Sequence, residues 1–182
     1  MRRRPFLLGL LALLGSILVA GAAGPAGAGT RPPKVPEAIQ IPAGQKVVLD
    51  VTGKGVQIYD CKPSAGDPAN LVWTFREPAA VLSGRGGHPV GIHFRGPTFE
   101  SFDGSSVLAA LDASTPAPDP DRDVAWLRLK AVGNQGDGVL AQVDYVQRIQ
   151  TRGGVAPAGT CDPAADSTVA VPYRARYVFY AG

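Results

Sequence analysis

Short alternations of apolar and polar residues, separated by glycine and proline, recur along this chain and most constrain its fold. Clear examples are VAWLRLKAV, over 124–132, and the final segment VAVPYRARYVFYAG. A period of two residues places successive side chains on opposite faces of a β-strand. The 23 glycines and 17 prolines fall mainly between such segments, as expected of turns between short strands.

We therefore predict an all-β fold, an antiparallel β-sandwich or barrel of about nine strands with at most one short helix. KVVLDV and VQIYDC are predicted to form a hairpin around TGKG, and EPAAVLS is the helix candidate because Pro78 suits a first helical turn. VLAQVDYVQRIQT is predicted to be one long strand with a bulge near Tyr145, and Asp103-Gly104 a tight hairpin turn.

The chain opens with three arginines, an apolar run and small residues suited to cleavage. This order predicts a signal peptide over 1–28, an extended linker over 29–36 and a single all-β domain over 37–182. The segment RRPFL also fits the core of a twin-arginine signal, so export by the Sec or the twin-arginine route stays open. We expect a secreted or extracytoplasmic protein with no membrane span after leader removal.

The charge distribution gives no sign of a nucleic acid partner. The chain has 18 cationic and 15 acidic residues, and loss of Arg2, Arg3 and Arg4 with the leader makes the two counts equal. A neutral surface without a Lys/Arg cluster offers no footprint for nucleic acid or an anionic membrane. Cys61 and Cys161 predict one disulfide in an exported protein, with metal binding or a free thiol as the alternatives.

The stretch VGIHFRGPTFESFDGS raises the question of catalysis. If Gly96 and Pro97 form a two-residue loop, His93 lies opposite Glu100. Such a pair begins a general-base or metal site, but it equally fixes strand register. His93, Glu100 and Asp103 are thus the candidate catalytic residues of a small hydrolase or metal-assisted enzyme, and His88, His93 and Glu100 are an alternative metal site.

Other catalytic patterns are missing from the sequence. There is no G-x-S-x-G and no glycine-rich turn that would receive a dinucleotide, so we expect no cofactor. The aspartates of PDPDRD imitate a calcium loop, but Val124 and Lys130 occupy the glycine and glutamate positions. A solvated acidic loop is the favoured interpretation.

Aromatic and arginine side chains offer a binding function instead. Trp126 and Tyr180 fall on the more polar faces of their strands, where a ring beside Arg128 or Arg174 would stack on a sugar or another planar ligand. The alternative is that the aromatic rings fill the core and cover the sheet edges. Arg148, with Thr151 and the following glycines, would bind an anion or anchor a turn. The leading hypothesis is a non-catalytic extracytoplasmic binding or cell-envelope module, whose partner is a small molecule, a glycan or an envelope protein.

Nine sequence blocks occur together in a recognisable order: VPEAIQIPAG, GVQIYDC, WTFREPAAVL, GIHFRGPTFE, DGSSV, AWLRL, VQRIQTRGG, AP-x-x-x-C and VPYRARYVFY. In this order they resemble a family of exported bacterial and fungal proteins known as domain of unknown function 3455. The resemblance runs from Val35 to Tyr180, and both cysteines lie inside matching blocks, as a family disulfide would require. Phe99 stands where the family usually has Trp, and His88 has no family counterpart. The resemblance implies architecture and export, but no chemistry.

Overall fold

Residues 31–182 are described by a computed structural model, in which one antiparallel sheet closes on itself as a barrel. Each strand pairs with the next, and the last pairs with the first. The all-β prediction is confirmed, with eight strands rather than about nine. The strands are β1 (Lys46–Pro63), β2 (Leu71–Ser83), β3 (Pro89–Phe94), β4 (Thr98–Ser101), β5 (Ser106–Thr115), β6 (Trp126–Gln135), β7 (Tyr145–Gly153) and β8 (Thr168–Ala181).

Two short 3-10 turns, Glu37–Ile39 and Arg85–Gly87, are the helical elements of residues 31–182. The predicted signal peptide and the start of the linker fall within 1–30, outside the described residues. Across the described part of the chain, no helix has the length and hydropathy of a membrane span.

Three local predictions are wrong. TGKG does not turn the chain, because β1 runs straight through it. EPAAVLS belongs to β2 and not to a helix, since its residues pair with both β1 and β3. β7 begins only at Tyr145, so the change in apolar phase there marks the start of a strand, and the irregularity in pairing lies between Ile149 and Arg152.

The alternation predicted for β6 and β8 is confirmed. β8 directs Tyr173, Ala175, Tyr177 and Phe179 into the barrel, and β6 contributes Leu129 to the same interior cluster. Strand twist and tilt in a closed eight-stranded sheet leave an interior that side chains fill, or that holds one small ligand. The barrel therefore has a single interior in which the odd-numbered residues of β8 form one wall.

A second apolar cluster lies outside the barrel, beneath the segment that precedes β1. Ile39 of this segment packs against Ile149, Val178 and Tyr180, and each of these four residues is buried. The Gln147 amide donates to the Ile39 carbonyl oxygen at 2.7 Å, which satisfies a polar group under the cover. The segment thus shields one outer face of β7 and β8 from water.

The two ends of the barrel differ. At one end, Leu140 and Val143 from the loop between β6 and β7 fold inward and join the interior cluster. At the opposite end lie the β3–β4 turn and the long loops over 116–125 and 154–167. The predicted disulfide is confirmed: Cys61, near the end of β1, is bonded to Cys161 of the last of these loops. We refer to the end filled by Leu140 and Val143 as the closed end, and to the opposite end, with its long loops, as the open end.

Candidate functional site

The register of the β3–β4 hairpin separates the two residues that sequence reasoning had paired. His93 lies opposite Phe99, and Glu100 lies opposite Ile92, because the connecting loop has three residues rather than two. A shift of one residue moves a side chain to the other face of a sheet. His93 is therefore buried inside the barrel while Glu100 is exposed outside it, so the predicted cross-strand pair is wrong.

Asp103 lies at the closed end, in the turn after β4. Its carboxylate accepts hydrogen bonds from the Ser105 hydroxyl at 2.6 Å, the Ser105 amide at 2.9 Å and the Val139 amide at 2.8 Å. These bonds, the Ser105 hydroxyl first, hold the pKa of Asp103 well below its ordinary value. The predicted turn is confirmed in place, with positive φ at Gly104 but not at Asp103. Asp103 thus ties a turn to a loop and does not approach His93.

The alternative metal site is not assembled either. His88 and Glu100 are exposed, whereas His93 is in the interior. Within residues 31–182 no group of three His, Cys, Asp or Glu side chains is placed to hold a metal ion.

In the acidic loop that imitates a calcium site, Asp123 is buried and accepts hydrogen bonds from the Gly153 amide at 2.7 Å and from Arg152 at 2.9 Å. Asp123 is thus anchored to the end of β7.

The two rings predicted to form an aromatic stacking surface, Trp126 and Tyr180, lie beneath the segment that precedes β1. Both rings do lie on the outer face, but Tyr180 is buried and Trp126 packs on the same cluster beneath the N-terminal segment. The Tyr180 hydroxyl donates to Gln147 Oε1 at 2.6 Å. Arg128 is occupied by Asp112 and by the carbonyl oxygen of Gln40. The segment that precedes β1, which has no periodic pattern of its own, therefore covers an outer face of the barrel. The alternation of the strands had predicted that this face would be exposed to solvent.

The open end instead leads to an internal cavity of about 700 Å³. Its walls come from seven strands and its rim from three loops, so residues far apart in sequence converge there. Apolar side chains form most of the lining: Tyr59, Phe75, Pro78, Pro97, Leu111, Pro116, Ala117, Pro120, Val124, Leu127, Leu129, Val155 and Ala156. A concave, mostly apolar cavity of this size with a few polar groups is typical of a small-molecule site.

An aromatic layer separates the cavity from the closed end. The His93 ring stacks on Phe99 at 4.0 Å between centroids, and Tyr177 meets both rings edge-on. His93 Nδ1 lies 2.9 Å from the carbonyl oxygen of Thr98. Because a carbonyl oxygen only accepts, Nδ1 carries the proton and Nε2 has a free lone pair. Burial, aided by the charge of Arg148, lowers the pKa of His93 to about 4.

Arg148 brings a positive charge into the cavity. It shares the inward phase of Val146 on β7, and its Nε and Nη2 donate to the Ala125 carbonyl oxygen at 3.2 and 2.9 Å. Its charge also lowers the pKa of Tyr59, Tyr173 and Tyr177, against the larger upward effect of their burial. Arg148 was singled out from the sequence as an anion-binding candidate, and it is the predicted ligand-binding residue that lines the cavity.

Gln57 is a cavity residue that sequence reasoning missed. It is 2% exposed, and its Nε2 has no hydrogen-bond partner. Burial raises the pKa of the Tyr173 hydroxyl, and the nearby Gln57 amide opposes that effect, but no hydrogen bond joins the two side chains. A signal was available: in one unbroken strand, Gln57 shares its phase with Val51 and Gly53, which face the interior. Dividing β1 into two strands hid that phase.

Together these features define a class, the antiparallel eight-stranded barrel with a ligand-sized internal cavity open at one end. The family described as Protein of unknown function (DUF3455) matches residues 42–181, and the chain belongs to this family. The resemblance of the sequence blocks to domain of unknown function 3455 is therefore confirmed. A search of curated proteins gives no match to this chain, and a search of solved structures gives none.

Proposed function

We propose that this protein is an extracytoplasmic binding protein that takes a small, largely apolar molecule into its barrel and does no chemistry on it. The observation that carries the proposal is the apolar cavity of about 700 Å³ at the open end. Burying apolar ligand surface there is favourable by roughly 25 cal/mol per Å². Phe75 and Leu111, both substantially exposed at the rim, extend the apolar surface outward.

Two further features support this role. Among the described residues, His93, Glu100 and Asp103 lie on an inner face, an outer face and a turn at the closed end, which favours binding over hydrolysis. The Cys61–Cys161 disulfide and the leader predicted over 1–28 both suit an oxidising compartment outside the cytoplasm. Binding outside the cytoplasm is the function that accounts for all of these features together.

The test uses N-phenyl-1-naphthylamine, an uncharged apolar dye whose fluorescence rises in an apolar site. Purified protein with its disulfide intact is titrated with the dye, and saturable binding is expected. Leu127→Trp fills part of the cavity and is expected to weaken dye binding by about tenfold or more. Ala156→Trp at the rim is a second blocking variant, which keeps the test open if Leu127→Trp does not fold.

The matched control is Val132→Trp, which adds the same ring to an exposed position on the outer face of β6. It is expected to bind the dye as the unsubstituted protein does. Absence of saturable binding, or equal binding by all three variants, would contradict the proposal, because the dye would then be excluded from the barrel or held on its surface.

A further inference from the structure

The guanidinium of Arg148 lies among apolar walls without a carboxylate partner. Arg148 takes part in none of the ion pairs formed by residues 31–182, and its hydrogen bonds go to a neutral carbonyl oxygen. A charge in an apolar cavity attracts an opposite charge far more strongly than it would in water. The cavity therefore favours a ligand that carries a negative charge.

The other charged groups of the lining are already neutralised. Arg76 is paired with Asp60 at 2.9 Å and with Glu77 at 3.1 Å. Asp123 is paired with Arg152 and bonded to the Gly153 amide. One positive charge is thus left to be balanced, which suits a ligand with a single negative charge rather than a dianion.

Gln57 provides a second and independent indication. Its Nε2 is a buried donor without a partner, and leaving such a donor unpaired costs about 1–3 kcal/mol. The side chain lines the same cavity as Arg148. The charged guanidinium of Arg148 and the amide of Gln57 are thus N–H donors within an otherwise apolar cavity. A carboxylate has two oxygens that can accept hydrogen bonds from such donors.

We propose that the ligand is a monocarboxylate with an apolar body, whose carboxylate is bound by Arg148 and by Gln57 Nε2. This inference rests on the proposed function and narrows it to a ligand class. The aliphatic or aromatic nature of the body is left to the experiment, because proline, leucine and tyrosine side chains all contact the cavity.

Isothermal titration calorimetry compares two matched pairs of ligands, decanoate with decanamide and 2-naphthoate with 2-naphthamide. Each pair has one body and differs in the charge of the head group. In at least one pair the carboxylate is expected to bind about tenfold or more tightly than the amide. The pair that shows this preference identifies an aliphatic or an aromatic body.

Two variants test whether Arg148 and Gln57 cause the preference for the carboxylate over the amide. Arg148→Met removes the charge, and Gln57→Glu places a carboxylate in the cavity that Arg148 also lines, with almost no change in shape, so each is expected to abolish the preference for the charged ligand. Arg174→Met is the control, because Arg174 is exposed on β8. Thermal unfolding checks that each variant is folded. If Arg148→Met does not fold, Gln57→Glu still tests the proposal.

The outcomes separate this inference from the proposed function. If the naphthylamine dye binds but neither pair shows the preference, or if Arg148→Met and Gln57→Glu both keep it, the carboxylate inference is overturned and the apolar binding role stands. If neither the dye nor any of the four ligands binds, the proposed function is contradicted as well.

Discussion

Burial holds His93 in its neutral form. The imidazole is stacked on Phe99, its Nδ1 donates to the Thr98 carbonyl oxygen, and Arg148 and Tyr177 face it from β7 and β8. A protonated ring there would lose its hydration beside an existing positive charge. The lone histidine of the interior is thus a structural residue of the cavity floor, and its titration is coupled to folding.

We predict that His93 makes the fold less stable in acid. Its pKa falls from 6.5 to about 4 on folding, so between these values the unfolded chain binds a proton that the native state excludes. The contribution is complete above pH 6.5 and is lost as the pH falls towards 4. Between pH 7 and pH 4.5 the free energy of unfolding should drop by about 2 kcal/mol from this residue alone.

Urea unfolding at the two pH values, on the unsubstituted protein and on His93→Gln and His93→Phe, measures this contribution. Either variant should show a pH dependence smaller by that amount, whatever its stability at pH 7. His88→Gln is the control, because His88 is exposed. Equal pH dependence in the His93 variants and the unsubstituted protein would show that the ring is protonated in the native state.

At the level of strands, β6 and β8 could be predicted from sequence because each alternates cleanly and lies against one packed interior. β1 could not, since glycines that suggested a turn serve the packing of a continuous strand. A Cβ on Gly53 would lie 2.6 Å from the Tyr177 ring, and one on Gly55 would overlap the carbonyl oxygen of Ala79 on β2. A glycine in the sequence can mark a turn, but inside a strand it allows neighbouring side chains or backbone to approach closely.

We predict that Gly55→Ala destabilises the barrel by about 3 kcal/mol, at the upper end of the cost of overpacking, because the obstacle is backbone. Gly133→Ala is the matched control: Gly133 also lies within a strand, but nothing would be within 4 Å of its Cβ. It should be neutral or slightly stabilising. Chemical denaturation of both variants measures the difference, and equal stability would show that β1 and β2 separate at little cost.

The same reasoning explains which parts of the candidate site sequence could reveal. Arg148 stood out because it precedes Thr151 and a pair of glycines, a pattern that suits anion binding or the anchoring of a turn. Gln57 did not, because dividing β1 into two strands hid its inward phase, and the cavity itself did not, because it depends on how seven strands and three loops converge at one end of a closed sheet. The predicted His93–Glu100 pair was wrong because the loop between β3 and β4 has one residue more than expected. Closure of a barrel is a long-range property that local periodicity does not contain.

For the whole molecule, the disulfide fixes the open end. Cys61 is near the end of β1, two residues beyond Tyr59, whose hydroxyl donates to the Gly154 carbonyl oxygen at 2.5 Å. Cys161 lies in the loop whose residues Val155 and Ala156 line the cavity. The bond therefore joins a loop that lines the rim of the cavity to β1, the longest strand of the barrel.

We predict that replacing Cys61 and Cys161 together by Ala lowers the free energy of unfolding by about 3 kcal/mol, within an upper bound of roughly 4.7 kcal/mol for a loop of 100 residues. Denaturation of the unsubstituted protein, oxidised and reduced, and of the double variant provides the measurement. Reduction should leave the double variant unchanged, which is the internal control. Because the rim loop loses its anchor, dye binding should weaken in the double variant even under conditions where it remains folded. A loss of stability with unchanged dye affinity would mean that the Tyr59 hydrogen bond and the backbone bonds between this loop and its neighbours hold the rim without the disulfide, and that the disulfide acts on the unfolded chain rather than on the cavity.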